Sequence, residues 1–223
     1  MDQGATVIGV TIVELRQYSL VPGGRDTLVS LFDRHFVESQ EADGARIVGQ
    51  FRDLDRADRF VWVREFPSMA ARLAALTAFY SGPVWKEHRD AANATMIDSD
   101  DVLLMRAIQP FTGYAAREVA ADSVIVAGLQ ALAGDAVTHY ADQFAREVRP
   151  RLGAAVLGTC QTIHEPNTFP ALPVREGEDL FVWFARLDSA ADLDAFAARV
   201  EGVDSGGPVT LLRLAPTPRS ALR

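Results

Sequence analysis

The chain has 223 residues, enough for one large domain or two small domains of about 100 residues each. Apolar residues make up 48% and charged residues 23%, a balance that excludes a wholly disordered chain. The net charge of −8 repels phosphate backbones and anionic lipids, so we expect neither a nucleic acid nor a membrane as partner.

No targeting or membrane-spanning segment is evident in the sequence. Residues 1–13 contain Asp2 and lack the basic start of a secretory signal. The longest mostly apolar run, residues 124–133, is interrupted by a glycine and a glutamine and reaches about half the length that crosses a bilayer. Cys160 is the only cysteine, so no disulfide can form within the chain. We therefore expect a cytoplasmic protein.

The first half of the chain begins with an alternating strand at residues 12–20. Glu14, Arg16 and Tyr18 share one face of this strand, and Val13 and Leu15 share the other. A helix at residues 25–39 and strands at 46–52 and 59–66 are predicted next. Ser68 is expected to cap a helix at 69–80, in which Met69, Leu73 and Leu76 face inward. A short helix carrying Trp85 and His88 and a strand at 102–108 complete the first half.

The second half repeats this order of elements. Its predicted strands lie at residues 124–132, 155–163, 179–187 and 208–214, and its helices at 136–152 and from the capping residue Ser189 to about residue 200. Two pieces also match in sequence: residues 47–51 parallel 156–160, and residues 60–63 parallel 181–184. Two matches in the same order indicate a duplication.

Each half therefore has the order β-α-β-β-α-β, which is the ferredoxin-like pattern. Helices cover one face of each sheet, and the other face needs cover that a second repeat in the same chain can supply. We predict an α+β fold in which two ferredoxin-like repeats, residues 1–109 and 110–223, form an intrachain pseudo-dimeric α+β barrel.

Several motifs resemble the NIPSNAP family. Residues 14–18, with the sequence ELRQY, and residues 20–23, LVPG, resemble the E-L-R-x-Y…L-x-P-G opening of NIPSNAP domains. Residues 48–51 and 59–62 resemble later family segments, and the SGPVW segment at residues 81–85 resembles the family's P-x-W. The resemblance covers about residues 10–108 and implies a dimeric α+β barrel.

The resemblance implies little about chemistry, because the functions in the family are diverse. Related barrel folds include cofactor-independent monooxygenases of antibiotic biosynthesis, haem-handling proteins and small-molecule isomerases. The chain departs from the family pattern in the third strand. Many family members have His and Trp there, at the positions where this chain has Trp62 and Arg64. A role tied to that histidine is therefore not carried over to this chain.

The polar residues of the first strand are the first candidate site. We expect Glu14, Arg16 and Tyr18 to face the space between the repeats, with Val13 and Leu15 towards the helices. A Glu14–Arg16 pair that stabilises sheet packing is one interpretation. In the other, Arg16 or Tyr18 orients an anionic or carbonyl oxygen of a ligand. The second repeat has no charge in the equivalent strand, so we expect one polar site per chain.

Aromatic and histidine residues supply the other candidates. Trp62 and Arg64 are expected on the same cavity-side face, either as core packing or as an apolar wall with an anion contact. His35 is either a structural residue or a base, and His88 lies either at the cavity mouth or in solvent. The proline-rich segment after His164 either covers that mouth or forms a surface loop. The histidine spacing predicts no metal site, and we expect no cofactor.

Two functions fit these patterns. The first is a small-molecule-binding protein, including a cofactor-independent enzyme acting on a hydrophobic or aromatic substrate in the barrel cavity. The proposed base is Glu14 or His35, and the substrate contacts are Arg16, Tyr18, Trp62, Arg64, Trp85 and His88. The second function is a non-catalytic structural or protein-interaction module with a filled barrel.

The cavity discriminates these functions. A volume of roughly 300 Å³ or more, lined by Tyr18, Trp62 and Arg64, favours the first, and a filled barrel favours the second. Haem handling is a third interpretation, and it needs His35 or His88 in an open cavity. A homo-oligomer is also compatible with the sequence, through any strand edge that the repeats leave unpaired.

Overall fold

A computed structural model describes residues 10–115, 122–134, 136–203 and 205–223. Residues 1–9, which include most of the segment argued not to be a secretory signal, lie outside this range, as do residues 116–121 next to the predicted repeat boundary. The division after residue 109 therefore stays a prediction. None of the helices in the described ranges combines the length and the apolarity that crossing a bilayer demands.

The first repeat has the predicted order of elements. In chain order it contains β1 (Ile12–Leu20), α1 (Arg25–Leu31), a π-helical turn (Phe32–Phe36), α2 (Val37–Ala42), β2 (Arg46–Asp53), β3 (Arg59–Phe66), α3 (Met69–Ser81), α4 (Pro83–Asn93) and β4 (Met96–Gln109). Ser68 caps α3 by accepting a hydrogen bond from the Ala71 amide. Strand β4 begins six residues before its predicted start, because its first residues extend the ladder to the end of β1, where Leu20 pairs with Met96.

The second repeat follows the same plan. It contains β5 (Val124–Ala131), α5 (Ala136–Gln143), a π-helical turn (Phe144–Val148), α6 (Arg149–Leu152), β6 (Ala155–Thr162), β7 (Leu180–Leu187), a 3₁₀ turn (Ala190–Asp192), α7 (Leu193–Glu201) and β8 (Val209–Pro216). Ser189 accepts a hydrogen bond from the Ala191 amide at the start of the last helical segment. The predicted α+β duplication is confirmed at the level of element order.

The two sheets join into one closed antiparallel barrel. The strand order is β1-β3-β2-β8-β5-β7-β6-β4, and β4 returns to β1. The repeats meet along two seams: β2 pairs with β8 through Phe51 and Pro216, and β4 pairs with β6 through Met105 and Thr162. Closure pairs every named strand on both sides, so none of these strands keeps a wholly unpaired edge for another chain, and a homo-oligomer stays a prediction.

The interior of the barrel is a packed apolar core. Its buried residues include Val13, Leu15, Val61, Val63, Leu103, Met105, Ile125, Ala127, Val182 and Phe184. This corrects the predicted orientation of β1, because Val13 and Leu15 face the interior while Tyr18 packs among the helices. Apolar side chains from both sheets fill the middle of the interior, whereas the helices carry polar partners such as Gln40 and Arg72. The polar face of β1 is therefore stable only on the helix side.

A segment of the second repeat covers the first repeat. Between β6 and β7, the Ile163 amide donates to the Leu104 carbonyl at 3.1 Å and the Arg175 amide to the Val102 carbonyl at 2.8 Å. Apolar side chains of this segment pack against a cluster of the first repeat that contains Ile12, Phe66, Leu76 and Leu104. The proline-rich segment is therefore a cover over the first repeat rather than a free surface loop.

Candidate functional site

A buried ionic cluster lies between the sheet and the helices of the first repeat. Glu14 is at its centre, and three arginines surround it: Arg16 from the same strand, Arg64 from β3 and Arg72 from α3. All four side chains have no exposed surface. Glu14 Oε2 accepts from Arg16 Nη1 at 2.9 Å and from Arg64 Nε at 2.8 Å, and Glu14 Oε1 accepts from Arg72 Nε at 2.5 Å.

The local structure explains why these groups converge. Glu14 and Arg16 are two residues apart on one strand and therefore project to the same face. Arg64 is directly opposite Glu14 in the β1–β3 ladder. Arg72 lies in the first turn of α3 and belongs to the buried face formed with Ala75, Leu76 and Phe79. Strand periodicity and helix packing thus place three guanidinium groups around one carboxylate.

The cluster carries an excess of positive charge. Burial alone would raise the pKa of Glu14, but the guanidinium groups of Arg64, Arg16 and Arg72 outweigh it and hold that pKa well below its ordinary value. Burial would likewise lower the pKa of Arg16, but Tyr18, Glu14 and Tyr80 raise it above its ordinary value. One ionised carboxylate therefore faces three protonated guanidinium groups.

Each arginine also contacts a second polar group. Arg16 Nε donates to the Tyr18 hydroxyl at 2.9 Å, and Arg64 Nη1 donates to Gln40 Oε1 at 2.8 Å. Arg72 Nη1 donates to Asn167 Oδ1 at 3.1 Å and to Thr168 Oγ1 at 3.2 Å, both in the covering segment of the second repeat. The site of the first repeat is therefore completed by the second repeat.

Several buried donors in this layer lack an acceptor. The Nη2 atoms of Arg16, Arg64 and Arg72 and the indole Nε1 of Trp62 form no hydrogen bond with the described residues. Arg64 Nη2 does lie 2.7 Å from Glu14 Oε2, as part of the ion pair, without forming a hydrogen bond of its own. Buried polar groups are normally hydrogen-bonded, so these donors mark an incomplete site.

Trp62 lies close to two of the guanidinium groups. The Cζ atoms of Arg16 and Arg64 are 5.6 Å and 4.9 Å from its ring centroid, within cation–π range. Tyr18 contacts the same ring edge-on at 6.0 Å. Trp62 and Tyr18 thus form an aromatic wall next to the ionic cluster.

A small cavity adjoins this wall. Its volume is about 30 Å³, and its lining residues are Tyr18, Leu28, Phe32, Phe36, Gln40, Trp62, Phe79, Tyr80, Trp85, Ala92 and Met96. Arg64 is not among them. Of the two alternatives for the barrel interior, the described residues show the filled one, because apolar side chains occupy that space. The cavity beside Tyr18 and Trp62 lies in the sheet–helix layer and has room for little more than a water molecule.

A family model places the first repeat among known proteins. The model described as NIPSNAP matches residues 13–110. These residues form a NIPSNAP domain. The sequence resemblance over residues 10–108 is thereby confirmed. A search of curated proteins found none that matches this chain.

Solved structures extend the likeness from the NIPSNAP domain to the whole fold. A candidate monooxygenase from Fusobacterium nucleatum is 8% identical, with 93% of each chain covered and a TM-score of 0.65. A candidate monooxygenase from Lactobacillus acidophilus is 10% identical over 93% of this chain and 94% of its own, with a TM-score of 0.62. An anthrone oxidase-like protein is 10% identical over 93% and 91%, with a TM-score of 0.57. At such identities the likeness shows the shared α+β barrel fold alone.

The second repeat lacks the ionic cluster of the NIPSNAP domain. The β5–β7 ladder aligns with the β1–β3 ladder when Trp183 is placed on Trp62. In this register, the positions of Glu14, Arg16 and Arg64 are occupied by Val126, Gly128 and Ala185, respectively. Counting from the two capping serines, Leu193 stands at the position of Arg72. Every member of the cluster is thus replaced by an apolar residue or glycine.

Aromatic packing fills the corresponding space in the second repeat. A Cβ atom built on Gly128 would lie 2.1 Å from the Trp183 ring, so that ring occupies the place above the glycine. Trp183 also stacks on Phe144 at 6.2 Å and contacts Phe196 edge-on at 6.1 Å. The same fold therefore packs this layer without buried charge.

The predicted site residues separate into two groups. Glu14, Arg16, Tyr18, Trp62 and Arg64 are brought together as expected, although on the helix side of the sheet instead of inside the barrel. Trp85 lies at the cavity with Tyr18 and Trp62.

The two histidines lie apart from the cluster. The rings of His35 and His88 stack on each other at 3.8 Å, and neither residue lines the aromatic cavity of the NIPSNAP domain. Burial, followed by His88 and Arg34, lowers the pKa of His35. The cavity of about 30 Å³ beside Tyr18 and Trp62 is too small for a haem, and His35 instead lines an open surface groove of about 400 Å³. Among the described residues, no group of three or more His, Cys, Asp or Glu is placed to hold a metal ion.

The sequence reasoning missed Arg72, Gln40 and Tyr80. The predicted inward stripe of α3 contained Leu73, which is 41% exposed, whereas Arg72 is fully buried. A stripe rotated by one position, through Arg72, Ala75, Leu76 and Phe79, fits the same helical spacing. The signal was therefore present, but a charged residue was not considered as a member of a buried face.

Proposed function

We propose that the NIPSNAP domain binds a small aromatic molecule between its sheet and its helices, next to Tyr18 and Trp62. The observation that carries the proposal is the cavity wall, where aromatic rings surround Tyr18 and Gln40. These two residues are hydrogen-bonded directly to Arg16 and Arg64. An apolar wall with a few convergent polar groups is typical of small-molecule sites.

Ligand entry requires the site to open. A volume of about 30 Å³ is too small for an aromatic ring, and α4 contributes Trp85 and Ala92 to the lining. Trp85 is half-buried at the outer side. We infer that α4 moves outward on binding, a local motion of the kind that ligand sites commonly use.

The proposal is one of binding, without a committed reaction. A general base needs a pKa near the working pH. Three arginines hold Glu14 in its ionised form, so we propose that Glu14 positions the arginines instead of accepting a proton. His35 lies outside the cavity lining, so its candidacy as a base depends on a movement of α1 or α4. The monooxygenase and oxidase names of the structural neighbours agree with small-molecule binding on this fold, but the proposal rests on the residues of this chain.

The second candidate function is a structural or protein-interaction module. One observation favours it, namely the barrel interior filled by apolar side chains from both repeats. Under this interpretation, no small molecule has an affinity for the sheet–helix layer.

Tryptophan fluorescence distinguishes the two candidates. In a Trp183→Phe protein the remaining tryptophans, Trp62 and Trp85, both line the cavity. We expect a saturable fluorescence change on titration with at least one member of a panel containing benzoate, benzamide, phenol and toluene. A panel without any saturable response would reject the proposal and favour the structural module.

A pair of variants locates the binding. Ala92 is fully buried at the cavity, and Ala91 is exposed on the same helix. Ala92→Leu should fill the cavity and abolish the response, whereas Ala91→Leu should leave it unchanged. Circular dichroism checks that both proteins are folded.

A further inference from the structure

The charge balance of the cluster identifies the class of ligand. Glu14 is the only acidic residue in ion-pair contact with Arg16, Arg64 or Arg72 among the residues that the structure describes. Three guanidinium groups against one carboxylate leave two positive charges in excess, and all four side chains are fully buried. Buried charge without a counter-charge is costly in a protein interior. A bound anion would relieve this cost.

The free hydrogen-bonding atoms point to the same conclusion. Arg16 Nη2, Arg72 Nη2 and the indole nitrogen of Trp62 have no hydrogen-bond acceptor among the described residues, and Arg64 Nη2 has only its ion-pair contact with Glu14. Guanidinium and indole groups donate hydrogen bonds and accept none. Their matching partner is an acceptor, and the strongest acceptor for a guanidinium is a negatively charged oxygen.

The second repeat shows that the fold does not need these charges. Val126, Gly128, Ala185 and Leu193 stand at the four equivalent positions, and their layer packs as a continuous apolar cluster. Replacement of buried ion pairs by apolar residues is often neutral or stabilising. Packing alone therefore does not explain an unbalanced cluster in the first repeat.

We propose that the aromatic ligand of the NIPSNAP domain carries a negatively charged oxygen, as a carboxylate or a phenolate, which binds Arg16 and Arg64 beside Trp62 once the site has opened. This inference rests on the proposed function, because it names the class of molecule for the same site. The aromatic wall holds the ring, and the two guanidinium groups hold the oxygen. Arg72 contributes charge and ties the site to the covering segment.

Two molecules of nearly the same shape test the charge. Benzoate and benzamide differ in charge but not in ring size, and both are titrated into the Trp183→Phe protein at neutral pH. We expect the dissociation constant of benzoate to be at least about tenfold lower, since hydrogen bonds to charged groups are the stronger ones. Equal binding of the two, or tighter binding of benzamide, would contradict the inference and leave the proposed function standing.

Inorganic anions form the third arm of the experiment. Sodium sulfate at equal concentration should compete only weakly with benzoate, because it makes no contact with the aromatic wall. If sulfate displaces benzoate with a dissociation constant equal to that of benzoate, the site is a general anion site and the aromatic part of the inference is wrong. If no member of the aromatic panel binds, the proposed function and the inference fail together.

Variants assign the effect to the cluster. Arg64→Gln lowers the excess charge by one while an amide remains at that position, and the preference for benzoate should fall at least about threefold. Arg46→Gln makes the same change in overall charge on an exposed side chain and should not alter the preference. If Arg64→Gln fails to fold, thermal unfolding of the unaltered chain supplies the test, because benzoate should raise its melting temperature more than benzamide does.

Discussion

Arg64 stands directly opposite Glu14 in the β1–β3 ladder, and its Nε atom donates a 2.8 Å hydrogen bond to Glu14 Oε2. This pair joins the two strands on the helix side of the sheet. Arg16 and Arg72 contact the same carboxylate, so Glu14 is the one counter-charge that the described part of the chain supplies to three arginines. Its removal or neutralisation should therefore have the largest effect of any change in the cluster.

Glu14→Gln should destabilise the protein strongly. The amide keeps the shape of the side chain but leaves three buried guanidinium groups without a counter-charge, which costs about 3–5 kcal/mol. Urea unfolding at neutral pH measures the change in the free energy of unfolding. Glu38→Gln is the control: its side chain is 57% exposed and its partner Arg219 is also partly exposed, so we expect a change below about 1 kcal/mol. Equal effects of the two substitutions would contradict the central role of Glu14.

The stability contributed by Glu14 should be lost in acid. Its pKa in the folded protein lies below the ordinary value of 4.5, so the folded state binds fewer protons than the unfolded state in this range. The contribution is complete above that ordinary value and falls as the pH is lowered below it. Unfolding free energies measured between pH 6 and pH 3 on the unaltered chain and on Glu14→Gln should converge towards low pH. A constant difference across the range would show that Glu14 does not titrate in this way.

Simultaneous replacement of the cluster should be tolerated better than the loss of its acid. Glu14→Leu, Arg16→Met, Arg64→Met and Arg72→Leu together remove the buried charge and approximate the apolar layer of the second repeat. We expect this protein to unfold cooperatively and to be more stable than Glu14→Gln, because apolar residues of similar volume replace buried ion pairs at little cost. Thermal unfolding monitored by circular dichroism gives the comparison. A quadruple variant that is less stable than the single variant would favour a structural role for the charges.

The covering segment should protect α3 from opening. Phe169 stacks on Tyr80 at 5.8 Å, and Asn167 and Thr168 accept hydrogen bonds from Arg72. Phe169→Ala, combined with Asn167→Ala, should increase amide hydrogen exchange in residues 72–80 and leave β7 unchanged. Glu165→Ala changes an exposed residue of the same segment and serves as the control. Unaltered exchange in α3 would show that the segment does not stabilise the site.

The sequence predicted the fold in unusual detail because both repeats have clear local patterns. The alternation in residues 12–20, the capping serines and the parallel segments predicted the order of elements, and β1 and β3 begin and end at their predicted residues. The alternation also placed Glu14, Arg16 and Tyr18 on a common face. The cytoplasmic location and the division after residue 109 stay predictions.

Only the tertiary structure decided which way that face points. A period of two residues separates the two faces of a strand, but here both faces are buried, one in the barrel interior and one under helices, so the pattern does not say which is which. Contacts between residues far apart in the chain place Arg72 of α3 beside Glu14. They also place Asn167 and Thr168 of the other repeat beside Arg72. The sequence by itself determined the elements, their duplication and the shared face of β1. The excess of buried positive charge exists only after folding, because packing brings Arg64 and Arg72, both distant in the chain, to the carboxylate that Arg16 already neighbours.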